Sequence, residues 1–152
     1  QPSRIQRYMS MDAPNGKGIN KMNYGDPNCD LARVDANGKT ILDKDKILTY
    51  LQQNYPADAQ KMYWCIIPKE SGYVPNAWNP NSTSAQDSNT PGAFGFFQMN
   101  AKGYENPERP EDIGDVVWTQ QIKNAVAYNE NYVGGDWRGY WPEAYQDCLN
   151  NY

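Results

Sequence analysis

A chain of 152 residues fits one domain with a single core and leaves no room for a second catalytic domain. Its formal charge of −4 comes without any Lys/Arg run interleaved with aromatics, which argues against nucleic acid as a partner. Histidine is absent, which excludes a Ser-His-Asp triad, a Cys-His pair and the common zinc sites, so catalysis must rest on carboxylates, Tyr, Lys or Cys. Leu, Ile and Val are sparse while Tyr (12) and Trp (5) are abundant, so the core and any binding face should be aromatic. Aromatics together with many Asn and Gln suit carbohydrate.

Residues 1 to 40 are rich in Gly, Asn, Asp and Lys without a sustained period, and read as an irregular N-terminal arm preceding a domain over 41–152. DANGKTILDKDK (35–46) has the look of a calcium loop, but Thr40 stands where that loop needs glycine and Lys46 where it needs a bidentate acid. Asn37-Gly38 makes it a turn before a helix. From Asp43, an N-cap, Ile47, Leu48, Leu51 and Tyr55 recur at helical spacing until Pro56. Asp58 is expected to cap a second helix, with Ala59, Met62, Tyr63, Ile66 and Ile67 inward and Gly72 closing it. Residues 76–100 are turn-rich and then abruptly apolar, GAFGFFQMN holding all three phenylalanines of the chain. A third helix is predicted from Asp115 to Tyr132, with Val116, Val117, Ile122, Ala125 and Val126 apolar and Gly134-Gly135 ending it. Trp137, Trp141 and Cys148 mark a short closing segment anchored by aromatics.

Glu70 falls in the last turn of the second helix. A carboxylate there faces the negative end of the helix dipole, and burial among Trp and Tyr further disfavours its charged form, so its pKa should rise. An acid still protonated near neutral pH is what a glycosidic oxygen needs in order to leave.

KESGYVPNAWNP followed by GAFGFFQMN resembles the paired signature of the lysozyme-like superfamily, above all its soluble lytic transglycosylase branch. The residues that carry the likeness are Glu70, Ser71, Gly72, Tyr73, Pro75 and Ala77, then Gly92, Gly95, Phe96 and Gln98. The resemblance covers about residues 57 to 148. It implies a mainly α (α+β) fold, a helical domain with a small β or loop lobe flanking a glycan cleft. By it Glu70 is the general acid, Ser71 orients substrate or acid, and Gly95 and Gln98 line the cleft. QIKNAVAYNENYVGGDWRGYWP resembles the helix that returns beneath the cleft, with Tyr128 as the tyrosine that reaches the acid or the sugar and Trp137 as a further substrate contact. No metal or organic cofactor is required.

The three cysteines lack CxxC spacing, so one disulfide and one odd thiol are expected, in a secreted, periplasmic or cell-surface setting. Animal-type lysozymes bond a Cys five residues before the catalytic Glu to one near the chain end, which implies a Cys65–Cys148 pair with Cys29 left over. No signal peptide is read in the chain, and since it begins at Gln1, removal of a targeting segment is compatible with that setting.

Three features depart from the family pattern. Pro68 lacks the N–H that would bond the Trp64 carbonyl, so the helix should be kinked or thinned there. The stretch from Glu70 to Gly95 is longer than in most transglycosylases, SAQDSNT being an inserted loop. Where animal-type lysozymes carry a second catalytic Asp, this chain has Gly92 and Ala93, leaving Asp87 in the inserted loop as the only nearby acid. The expected activity is therefore cleavage of the β-1,4 bond between N-acetylmuramic acid and N-acetylglucosamine in peptidoglycan, by a monomer, with 1,6-anhydro ends. The alternatives are a hydrolytic lysozyme using Asp87, a chitin-type substrate, and a non-catalytic glycan-binding or structural module.

Overall fold

The computed structural model describes residues 29–38, 40–75, 77–79, 93–99, 117–146 and 148. A mainly helical chain with two small pairs of strands results, as the residue pattern led one to expect. No helix among the described residues is long and apolar enough to cross a membrane.

Part of the stretch whose composition reads as an arm forms regular structure. After a 3-10 turn at Cys29–Leu31, strands β1 (Ala32–Val34) and β2 (Thr40–Leu42) pair antiparallel, Ala32 opposite Leu42 and Val34 opposite Thr40. Gly38 makes the turn possible, because its φ of 78° is costly for a residue with a Cβ. Leu31 is fully buried, and the Asp43 N–H donates to its carbonyl at 2.7 Å, so the hairpin is fastened to the domain. Asp30 reinforces this from outside. Its carboxylate takes the Lys46 ammonium at 3.3 Å and the Trp118 indole N–H at 3.2 Å, joining hairpin to two helices.

Helix α1 (Lys44–Asn54) follows the predicted pattern: Asp43 accepts from the Lys46 N–H, Ile47 and Leu51 are fully buried, and Tyr55 ends it ahead of Pro56. The second helical run departs from expectation. Asp58 does not act as a side-chain cap; its Oδ1 accepts the indole N–H of Trp137 at 3.0 Å. The backbone is π-helical over Lys61–Ile66 and α-helical over Ile67–Ser71 (α2). Strands β3 (Trp78–Asn79) and β4 (Ala93–Phe94) then pair antiparallel.

Helix α3 (Trp118–Tyr132) starts later than the predicted Asp115. Val117 is extended (φ −55°, ψ 139°) and 40% exposed, so it does not belong to the buried stripe of Trp118, Ile122, Ala125 and Val126. At its end Gly134 and Gly135 both have positive φ, and the Gly135 N–H reaches back to the Asn129 carbonyl at 2.9 Å, a glycine stop of the expected kind. A 3-10 turn at Trp137–Gly139 and a short helix α4 (Pro142–Gln146) close the chain.

The core is aromatic at its centre, as composition implies. Phe97, Trp137 and Trp141 are each at most 2% exposed and in mutual contact, with ring centroids 5.4 to 6.5 Å apart. Aliphatic side chains from α1 and the second helical run surround them. Cys65 and Cys148, 83 residues apart, are disulfide-bonded, and Cys29 stands outside that pair. Constraining a loop of that size in the unfolded chain is worth about 4 to 5 kcal/mol in the chain-entropy model. Replacing both cysteines with alanine should lower unfolding stability by up to that amount, read as a fall in the urea midpoint, with a steeper slope because the uncrosslinked denatured chain exposes more surface.

Candidate functional site

The site begins with a proline that upsets a helix. In the π register the Ile67 N–H goes to the Met62 carbonyl, whereas an α-helix would give it to Tyr63. The next π-register donor to Tyr63 would be residue 68, a proline with no N–H. The Tyr63 carbonyl is thus stranded between registers. Tyr73 rescues it: the phenol folds back and donates to that oxygen at 2.9 Å, its ring 5.1 Å from that of Tyr63. The sequence places the disturbance correctly but expects the Trp64 carbonyl to lose its partner; widening into a π turn moves the loss by one residue.

Tyr73 can make this return only because the helix reverses sharply. Gly72 is left-handed (φ 59°) and gives its N–H to the Pro68 carbonyl at 3.1 Å. Tyr73 is left-handed as well (φ 69°), which costs a non-glycine residue about 1 to 2 kcal/mol. Burial, and then the neighbouring Tyr63, push the Tyr73 phenol up to about 12. The Lys44 ammonium lies over its ring, 4.6 Å from the centroid. Glu70, half-buried, is held in the last turn that this clamp fixes.

The second motif is stitched to the first through backbone carbonyls. Gly95 is left-handed (φ 76°) and donates its N–H to the Ala77 carbonyl at 2.7 Å. The Gln98 amide nitrogen donates to Ala77 O at 3.1 Å and to Gly95 O at 3.0 Å. Gln98 is itself left-handed (φ 50°), so among the described residues the two non-glycine residues of positive φ stand one in each motif. Such strain persists where surrounding bonds over-determine it, and it clusters at functional sites. Across both motifs lies Gln121 of α3, 1% exposed: its Oε1 accepts the Phe96 N–H and its Nε2 donates to the Pro75 carbonyl, both at 2.8 Å. The Trp141 indole N–H secures the far end by donating to the Phe97 carbonyl at 2.9 Å.

Tyr140 of the closing segment lies within electrostatic reach of the acid and is packed on a tyrosine of α3. Burial raises the Tyr140 phenol above its ordinary value, and the neighbouring Tyr128 and the negative charge of Glu70 add to the rise. Tyr128 and Tyr140 meet edge to face with centroids 5.0 Å apart. Glu70, Tyr140 and Tyr128 therefore form one neighbourhood. Tyr140 held neutral beside a carboxylate keeps a proton it can donate.

Two expected substrate contacts need correction. Ser71 is fully buried and its hydroxyl donates to the Ile67 carbonyl one turn back at 3.0 Å, so it braces the helix end from within the core. Trp137 is 1% exposed with its N–H committed to Asp58; a ring closed on both faces cannot stack on a sugar. Gly95 is buried, a backbone hinge of the second motif. Gln98 spends both amide hydrogens on carbonyls, leaving only its oxygen for another group. Asp87 and Gly92 lie outside the described residues. A cavity of ≈ 410 Å³ opens beside Asp43, Lys46, Tyr50 and Trp118. Among the described residues no group of three or more Cys, Asp or Glu could hold a metal ion.

Sequence reasoning missed Gln121 and Tyr140. A glutamine on the apolar stripe of a helix was the available signal for the first. The second, in a run of GYWP, carries no sequence signal of its own.

A solved structure of a lysozyme from Litopenaeus vannamei is similar to this chain, at 21% identity and a TM-score of 0.48, over 78% of this chain and 90% of that one. No family model matches the chain, and no curated protein matches it.

Tyr73→Phe should cost about 1 to 3 kcal/mol, the penalty for a buried carbonyl without a donor. A phenol raised in the folded state stabilises fully below the unfolded value near 10 and loses that contribution as pH climbs from there to about 12. The urea midpoint of the wild-type chain should therefore fall more steeply over that window than that of Tyr73→Phe. Gln121→Leu, which strips both motifs of a partner, should cost about 1 to 3 kcal/mol for each group left unpaired, read by thermal unfolding.

Proposed function

We propose that the chain cleaves peptidoglycan strands at the β-1,4 bond between N-acetylmuramic acid and N-acetylglucosamine, with Glu70 as the general acid. The observation that carries this reading is the joining of two motifs, Glu70-Ser71-Gly72-Tyr73 and Gly95-Phe96-Phe97-Gln98, into one braced frame beside a half-buried carboxylate. A glycan-cleaving acid needs a fixed position at the glycosidic oxygen and a partly apolar setting, and the helix end supplies the first while Tyr140 and Tyr128 contribute the second.

In the reaction Glu70 gives its proton to the leaving oxygen as the bond from that oxygen to the muramic C1 breaks. The substrate's acetamido group supports the developing positive charge at C1. The muramic 6-hydroxyl then attacks C1, its proton passing to the Glu70 carboxylate, and a 1,6-anhydro ring closes. One carboxylate suffices, because a tethered hydroxyl avoids the entropic cost of holding water in place. Tyr140, kept protonated, and Tyr128 steady the carboxylate between its two roles, and the oxygen of Gln98 is free to accept from a sugar hydroxyl or amide.

A hydrolytic lysozyme is the second reading, and the β3–β4 ladder favours keeping it. That ladder closes the base of the segment carrying Asp87, so its ends are anchored at Ala77 and Gly95, within the same frame. A hydrolase would need Asp87 to position water opposite the leaving group. The disulfide fits a secreted, periplasmic or cell-surface enzyme acting on the wall as a monomer.

Glu70→Gln should lower cleavage of purified cell walls by about 10² to 10⁴-fold, the range of general acid catalysis, without shifting the thermal midpoint. Undiminished turnover by that variant removes Glu70 from the mechanism. Mass spectrometry of products from defined strands should find anhydro ends, lighter by one water than reducing ends, and Asp87→Asn should leave them unchanged. Hydrated ends that vanish in Asp87→Asn would make the chain a hydrolase, and bound but uncleaved strands would make it a binding module.

A further inference from the structure

Tyrosines continue outward from the acid beyond the residues that the proposed reaction uses. Tyr140 senses the Glu70 charge, Tyr128 packs edge to face on Tyr140, and Tyr132, one turn further along α3, lies against Tyr128 with centroids 4.9 Å apart and planes 34° from parallel. Tyr132 is 75% exposed, the most exposed large apolar side chain among the described residues. The series thus runs from a half-buried carboxylate to a ring in water, with no charged side chain of its own.

Three physical features make this a stacking surface rather than a solvated helix end. Tyr128 supports one side of Tyr132, which limits the rotamers the outer ring can adopt, so a ligand meeting it finds a partly preorganised face. Tyrosine presents a large flat area at the cost of only two side-chain torsions. Gly134 and Gly135 turn the chain back right after Val133, so the backbone leaves the helix end sharply where Tyr132 projects. The axial C–H faces of pyranose rings are apolar while their edges carry hydroxyls, and an exposed aromatic ring matches such a face.

We propose that Tyr132, backed by Tyr128, is a saccharide-stacking position that engages a sugar ring of the strand away from the scissile bond and so sets a preference for longer strands. This rests on the reading of Glu70 as the glycan-cleaving acid, since it is continuity with that acid that names the occupant. Binding energy gained far from the reacting bond is then available to hold the scissile ring in place.

The test compares Tyr132→Ala and Tyr132→Phe with the wild-type chain on purified peptidoglycan strands of two disaccharide repeats, the shortest that hold the scissile bond, and of many. An aromatic contact of ordinary strength predicts that Tyr132→Ala loses about twofold to tenfold in kcat/KM on long strands, through KM, and nothing on the short one. Tyr132→Phe should keep the wild-type value, because stacking uses the ring and not the hydroxyl. An equal loss on both lengths, or no loss on long strands, overturns the proposal; so does a loss matched by a fall in thermal midpoint, which would make the pair an internal brace of α3. Binding of the long strand to Glu70→Gln, with and without Tyr132→Ala, needs no turnover. If the wild-type chain cleaves nothing but that binding weakens by the same factor, the catalytic reading fails and Tyr132 remains a glycan contact. If cleavage is found and the binding does not change, Tyr132 fails alone.

Discussion

One buried amide holds the two halves of the candidate site in register. Gln121 offers one acceptor and one donor on a side chain that α3 keeps rigid, and it spends them on Phe96 N–H and Pro75 O. Neither of those backbone groups belongs to the β3–β4 ladder, which pairs only Trp78 with Phe94 and Asn79 with Ala93. A buried backbone donor or acceptor left unpaired would cost as much as a sizeable share of a small domain's whole stability. The irregular backbone on both sides can therefore be buried only because a helix side chain substitutes for the missing strand.

The same solution recurs wherever the local backbone fails. Pro68 removes a donor and the π turn displaces the shortage onto Tyr63, where the Tyr73 phenol meets it. Ala77 presents one carbonyl to two donors, the Gly95 N–H and the Gln98 amide. Trp137 and Trp141, at the centre of the core, each turn an indole N–H to an oxygen on another element. Aromatic side chains with a polar end suit this work, since the ring fills the core while the tip satisfies the backbone. That is a physical reason for a composition rich in Tyr and Trp and poor in Leu, Ile and Val, and it agrees with the expectation that the core would be aromatic.

What the residues reveal in advance follows the range of the forces involved. Asp43, Pro56, Gly72 and Gly134-Gly135 act within a few residues, so the limits of α1, the end of α2 and the stop of α3 are legible from sequence. The start of α3 is not, because Val117 and Trp118 are both apolar and only packing, with Trp118 reaching Asp30, separates them. The hairpin over residues 32–42 hides for a related reason: much of its composition is polar, and Leu31 just before it and Leu42 at its end tie it to the core. At the site, motif likeness brings Glu70, Gln98 and Tyr128 to notice but cannot tell a side chain facing substrate from one spent on the frame. Ser71 and Trp137 fall on the wrong side of that line because their bonds, to Ile67 and Asp58, depend on helix rotation and on a contact far along the chain.

This division of labour bears on how a single carboxylate could serve as acid and then as base. In the proposed reaction Glu70 would have to keep its position while its charge changes, and a charge that comes and goes pulls on whatever surrounds it. The bonds that fix the helix end and join the two motifs are neutral: a left-handed glycine, a phenol bonded to a carbonyl, an amide bridging two backbones. None of these bonds needs an ion to form, so none is made or lost when the Glu70 proton moves. Tyr140, which senses the Glu70 charge, is raised rather than lowered by it and so keeps its proton beside an ionised Glu70. Neutral hydrogen bonds at the helix end and across the two motifs hold the same geometry in either charge state, which is what a proton-shuttling acid would require of its support.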